Sequence, residues 1–121
     1  MAVNKKAYIY KKGSSPALDE ELAAGQDYGW VRPGKTAIFW RSGLHWCAVP
    51  LSDVQRIFRR VEPVYGKLCC GGNSFIMEKL VLILKDGTEL ELYIGDDMEK
   101  KAAALLELLK EGHPEILFGK P

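Results

Sequence analysis

Cys69 and Cys70, with His45 and His113, are the side chains of this 121-residue sequence best suited to metal or nucleophilic chemistry. Their spacing works against it. Neighbours on a strand point to opposite faces, so the two adjacent sulfurs cannot converge on one ion. Cys47 adds a third thiol, but with two histidines it makes no recognised zinc spacing. The cysteines therefore read as small buried hydrophobes. His45 stands between Leu44 and Trp46, and His113 precedes Pro114 past a helix end, where a cation complements the dipole. No serine or cysteine nucleophile with a base and an orienting third group accompanies either histidine. Gly71-Gly72-Asn73-Ser74 lacks the Lys-Ser/Thr pair and the helix of a phosphate loop. The expectation is a non-enzyme with no catalytic residue, no metal site and no cofactor.

Binding chemistry is better represented. Arg56, Arg59 and Arg60 flank Phe58, and with Lys35 and Arg41 they could form a patch for phosphate, an acidic peptide or another anion. The competing assignment pairs these cations with Asp53, Glu62 and nearby acids on a solvated strand face. A second cluster is aromatic: Tyr28, Trp30, Phe39, Trp40 and Trp46 crowd between residues 28 and 46. Alternation places Phe39 and Trp40 on opposite faces of one strand. One of them is thus expected at an exposed patch that takes a protein partner or a second copy of the chain, with Trp46 beside it. An open sheet edge offers the same opportunity by strand addition.

Composition bounds the partners. Seventeen basic and sixteen acidic residues leave a formal net charge of +1, too balanced for a global field that would gather nucleic acid or anionic lipid. An odd cysteine count and an N-terminus with no apolar run behind Lys5-Lys6 fit a reduced, cytoplasmic setting better than secretion. The longest strongly apolar run, Leu80 to Leu84, is far shorter than the roughly 20 residues of a membrane span. The length suits one domain with one core.

The elements that must position these residues are mostly strands. Lys6 to Lys12 is β-prone, Leu18 to Ala24 offers one or two helical turns, and Tyr28 to Arg32 can be extended before Pro33-Gly34. Thr36–Arg41 and Leu44–Val49 read as a hairpin around Ser42-Gly43. Val54–Val61 carries charge on both faces, which predicts an edge strand or a bulge. Lys67 to Asn73 reads as a short strand entering a glycine loop. Phe75–Lys85 is apolar on both faces at its centre, and Asp86-Gly87 after it predicts a two-residue type I′ turn. Leu90, Leu92 and Ile94 then alternate with Glu89, Glu91 and Tyr93. A helix closes the chain: Met98, Ala102, Leu105 and Leu109 share a stripe, Asp96 or Asp97 is the expected N-cap, and Gly112 the expected left-handed C-cap.

Arg41-Ser42-Gly43-Leu44, followed by Val49-Pro50-Leu51-Ser52-Asp53-Val54-Gln55, resembles bacterial pleckstrin-homology-like domains, which pair an Arg-x-Gly-Leu turn with an Ile-Pro-Leu-Ser-x-Ile-like segment. The resemblance spans residues 35 to 111. It implies an α+β, mostly β fold: a bent, seven-stranded antiparallel β-sandwich or open barrel capped by one C-terminal amphipathic helix, with residues 1–34 as an N-terminal extension of the single domain 1–121. It also implies a binding module. Phosphoinositide-binding members carry a Lys/Arg-x-Arg pairing that is absent around Lys35 and Arg41. The functional expectation is therefore a module for a protein partner or for itself, through Phe39, Trp40 and Trp46 or a strand edge. The alternative is anion or anionic-lipid binding through Lys35, Arg41, Arg56, Arg59 and Arg60.

Overall fold

The structure is a computed structural model that describes residues 8–64 and 75–120. The predicted strand at Lys67–Asn73, the cysteine pair and the glycine loop lie outside the described residues. The chain is α+β and mostly β; the described residues form two four-stranded sheets and two α-helices, with no closed barrel among them.

The first sheet has strand order β1 (Ile9–Tyr10), β4 (His45–Pro50), β3 (Ala37–Ser42), β2 (Val31–Pro33). Residues from the N-terminal third are thus integral to it, since Ile9 pairs with Cys47 and Val31 with Trp40. The β3–β4 hairpin is the one expected, with Ser42 opposite His45. Helix α1 (Pro16–Ala24) begins two residues earlier than periodicity alone suggested. Ser15 accepts the Leu18 N–H as an N-cap, and Pro16 fills the first turn, where its missing N–H is no loss.

The second sheet runs β7 (Glu89–Asp96), β6 (Phe75–Leu84), β5 (Val54–Val64), β8 (Leu117–Phe118). A register shift between Val54 and Arg56 is the expected bulge. Strand β8 lies parallel to β5 at Arg56 and Ile57, a departure from the all-antiparallel expectation. The β6–β7 turn also differs from expectation. Gly87 donates to the Leu84 carbonyl at 2.9 Å and Leu84 to the Thr88 carbonyl at 2.8 Å, and only Gly87 has positive φ, at 93°. That is a type I turn closed by a glycine bulge, because Asp86 spends its carboxylate on the Thr88 N–H rather than entering the left-handed region.

The sheets pack face to face and α2 (Glu99–Gly112) closes the core between them. Ile38, Trp40, Cys47 and Val49 meet Ile57, Leu80, Leu82, Leu90, Leu92 and Ile94, and the helix inserts Ala102, Leu105 and Leu109. Burying each of those leucines stabilises the fold by about 1.5–3 kcal/mol as an upper bound. Both predicted caps of α2 are corrected. Met98 occupies the N-cap, while the Asp97 carboxylate accepts from Ile76 N–H and the Asp96 carboxylate from the Tyr93 hydroxyl. Gly112 stays helical, and His113 caps the C-terminus by donating its N–H to the Leu109 carbonyl. Gly29 is required by close approach: a Cβ there would lie 2.0 Å from the Ile94 carbonyl oxygen, beside the Trp30 N–H that bonds the same oxygen. Among the described residues, no helix is long and apolar enough to cross a membrane.

Candidate interaction surface

Strand alternation separates Phe39 from Trp40 as expected, yet neither is exposed. Trp40 points between the sheets, 7% accessible, with Tyr8 tilted against it at 6.3 Å. Phe39 points outward and is fully buried all the same, because α1 lays Leu18 and Leu22 across that face and Tyr10 meets the ring edge-on at 5.8 Å. The expected aromatic patch at Phe39 or Trp40 is absent. Its physical cause is the first helix: it covers the face that alternation left open.

Polar contacts pin that helix down. Asp19 accepts from the Tyr10 hydroxyl and from Gly13 N–H, and the hydrogen bond from Tyr10 holds its carboxyl below the usual range. Glu21 accepts from Thr36 N–H at 2.7 Å, from the Thr36 hydroxyl and from Ala37 N–H, tying α1 to the β2–β3 turn. Desolvation alone would raise its pKa, but these donors outweigh it and the net shift is downward. Trp46, partly buried on the same face, lies between two guanidinium groups. Arg32 is 4.7 Å and Arg41 5.1 Å from its ring centroid. Arg32 is also held by Asp27 at 2.7 Å and by the Leu22 carbonyl.

The five cations are not brought together. Lys35 lines a groove between α1 and the end of α2, with Glu20, Glu21, Leu108 and His113. Arg41 rests on Trp46. Arg56 donates to the Gly119 carbonyl at 2.8 Å, holding β8 in place. Arg59 turns to the inner face and grips Glu78 through Nε at 2.9 Å and Nη2 at 2.5 Å. That bond, with the charge of Glu78, raises the Arg59 pKa. Arg60 covers the Phe58 ring at 5.6 Å and pairs with Glu91 and Glu89. Beside it Lys79 bridges Glu91 at 3.1 Å and Glu62 at 3.2 Å. Ion pairing thus takes up Arg59 and Arg60, but with Glu78, Glu89 and Glu91 rather than Asp53 or Glu62, and for Arg59 on the inner face rather than a solvated one.

Sequence reading missed Glu78, which is 1% exposed on the inner face. A signal was present: Ile76, Glu78, Leu80 and Leu82 share one strand face, and a carboxylate in such a row needs a partner. Arg59 reaches it diagonally, since Val61 stands opposite Glu78 and Arg59 opposite Leu80. Beyond this pair the β5–β6 hairpin continues past the packed core. Val61 is 44% and Ile76 43% exposed there, with Pro63 exposed directly opposite Ile76. Trp30, 45% exposed against Tyr93, is a separate surface aromatic.

The outer edge of β5 completes this region. Gly119 N–H donates to the Ile57 carbonyl, so residue 57 turns its backbone away from β6. By alternation Arg59, Val61 and Pro63 do the same. Strand β8 ends at Phe118, opposite Ile57. From Phe58 to Val64 no described strand pairs this edge. Proline is tolerated at Pro63 because its nitrogen faces that open side. Among the described residues no group of three or more His, Cys, Asp or Glu side chains is placed to hold a metal. No protein-family model, curated protein or solved structure matches the chain.

Proposed function

We propose that this chain is a non-enzymatic interaction module of pleckstrin-homology-like fold, acting in the cytosol and binding a polypeptide along the open edge of β5. The family part of the reading rests on residues. Arg41-Ser42-Gly43-Leu44 forms the β3–β4 turn, and Val49-Pro50-Leu51-Ser52-Asp53-Val54 carries the chain from β4 through a short 3-10 turn into β5. The observation that carries the binding part is the stretch Phe58–Val64, where outward-facing backbone groups lie beside exposed Val61, Pro63 and Ile76. An added strand would satisfy the backbone and bury the aliphatic groups together. A pull-down from host lysate with wild type and Val61→Lys tests it. Partners captured by wild type and lost by the variant, with unchanged circular dichroism, support the reading. Identical capture by both overturns it.

Anion binding is the second reading, favoured by the placement of Arg41 on Trp46 beside Arg32. Sedimentation with anionic liposomes at low and moderate salt decides it, since such binding weakens as salt screens charge. Absence of pelleting at low salt ends it.

A further inference from the structure

We infer that the partner of the β5 edge is a second copy of this chain, paired antiparallel about a two-fold axis at Val61. This rests on the edge reading above and names its occupant. The open stretch runs from Phe58, where β8 stops, to Val64, where β5 ends, so Val61 is its midpoint. A two-fold axis there uses the whole stretch and meets β8 on neither side.

The register that follows is self-complementary at every position. Val61 N–H and C=O exchange hydrogen bonds with Val61 of the second copy, the arrangement of a hydrogen-bonded antiparallel pair. Arg59 N–H donates to the Pro63 carbonyl of the second copy, and the axis repeats this bond; the two reverse bonds, which would need an N–H on Pro63, are missing. On the outer face Arg60 stands opposite Glu62 of the second copy, and Glu62 opposite its Arg60. Opposite charges at such cross-strand positions attract and like charges repel. Phe58 meets Val64 on the same face. On the inner face the two Val61 side chains meet on the axis, next to Pro63 and within reach of Ile76, covering the exposed aliphatic groups at the hairpin end. Any other register loses the Arg60–Glu62 pairing or shortens the ladder. The result is one continuous sheet across both copies, with the β5 strands at its centre.

The test exploits the axis. Val61 is exposed and outside the core but stands opposite Glu78, so circular dichroism and thermal melting are the control that lysine or glutamate there keeps the fold. Sedimentation equilibrium across a concentration series should give a wild-type dimer. Val61→Lys and Val61→Glu alone each set like charges face to face and should weaken the dimer by about a hundredfold or more. Mixed in equal amounts, the two variants should restore dimer as a heterodimer. As a second measurement, Arg60→Cys and Glu62→Cys, each with Cys69→Ser and Cys70→Ser, should form a covalent heterodimer when mixed and mildly oxidised. Residues 60 and 62 face each other as a non-hydrogen-bonded pair, whose Cα atoms lie about 4.5 Å apart with the side chains closer, as a disulfide requires. A dimer that persists in Val61→Lys, or a failure of the mixture to associate, overturns the inference. A wild type that is monomeric, yet captures lysate partners in a Val61-dependent way, overturns self-pairing and keeps the edge reading. A monomer with no such capture overturns both.

Discussion

Phe39 and Phe58 stand on the outer faces of the two sheets, and both are buried, by different means. Phe39 lies under a helix, packed by Leu18, Leu22 and Tyr10. Phe58 lies under charge: Arg60 covers its ring, and Glu91, Glu89, Lys79 and Glu62 continue the lattice across β5, β6 and β7. One cover is a folded element that excludes water. The other is a set of alkyl stems whose heads stay solvated. A rigid cover confers stability, whereas a movable one leaves that face and its adjoining edge open to rearrangement and pairing.

Replacing each ring in turn tests the difference. Phe39→Ala should lower unfolding stability in urea by about 3–5 kcal/mol, because α1 cannot collapse into the cavity without breaking the Glu21 and Asp19 anchors. Arg59→Ala should cost about as much, 3–5 kcal/mol, since it strands a buried Glu78 carboxylate. Joining Arg59→Met to Glu78→Leu should recover most of that loss, which would show that the pair adds little net stability over apolar packing. Phe58→Ala should fall at or below the lower end, about 2–3 kcal/mol, because the stems above it can settle inward. Equal losses at Phe39 and Phe58 would mean the lattice is as rigid as the helix.

Titration separates the two covers further. Glu21 under the first sheet's turn and Glu91 in the lattice both have lowered pKa values, each against an opposing desolvation effect. For Glu91 the hydrogen bond from Lys79 leads, with Arg60 behind it. A depressed folded pKa contributes stability above the unfolded value, and that contribution is lost as pH falls through the folded one. Acid should therefore destabilise both regions, and Glu21→Gln should flatten its share whatever the salt. Glu91→Gln should matter less as salt rises, because exposed charges are screened. Tyr93 gives the opposite limb. Its hydrogen bond to Asp96 and partial desolvation push its pKa up to about 12, so its contribution is complete below 10.0 and vanishes as pH rises through the folded value. Tyr93→Phe should remove that alkaline loss in a pH-resolved melt. The smallest effect expected is Glu89→Ala, about 0.2–1 kcal/mol, for its exposed pair with Arg60.

Much of the scaffold was legible in the residues. The β3–β4 hairpin follows from β-prone runs around Ser42-Gly43, the long β6 from a run apolar on both faces, β7 from alternation, and the stripe Ala102, Leu105, Leu109 from helical spacing. The turn and cap errors share a cause. Asp86, Asp97 and Gly112 have several permitted local roles, and neighbouring strands select among them, as when Ile76 N–H takes the Asp97 carboxylate. The exposed aromatic patch failed for a larger reason. Alternation states that Phe39 and Trp40 face opposite ways, and it is silent on what lies beyond each face.

What the sequence determines by itself is thus the set of one-dimensional facts: which residues share a face and where chains must turn. These depend on backbone geometry within a few residues. Whether a face is wet was decided only by tertiary structure. It set α1 over Phe39, brought Arg59 diagonally to Glu78, and dispersed five cations that the sequence had offered as one patch. It also ended β8 at Phe118, opposite Ile57, and so left the β5 edge around Val61 without a described neighbouring strand. Those outcomes depend on contacts between residues far apart in the chain, for which no local pattern carries a record.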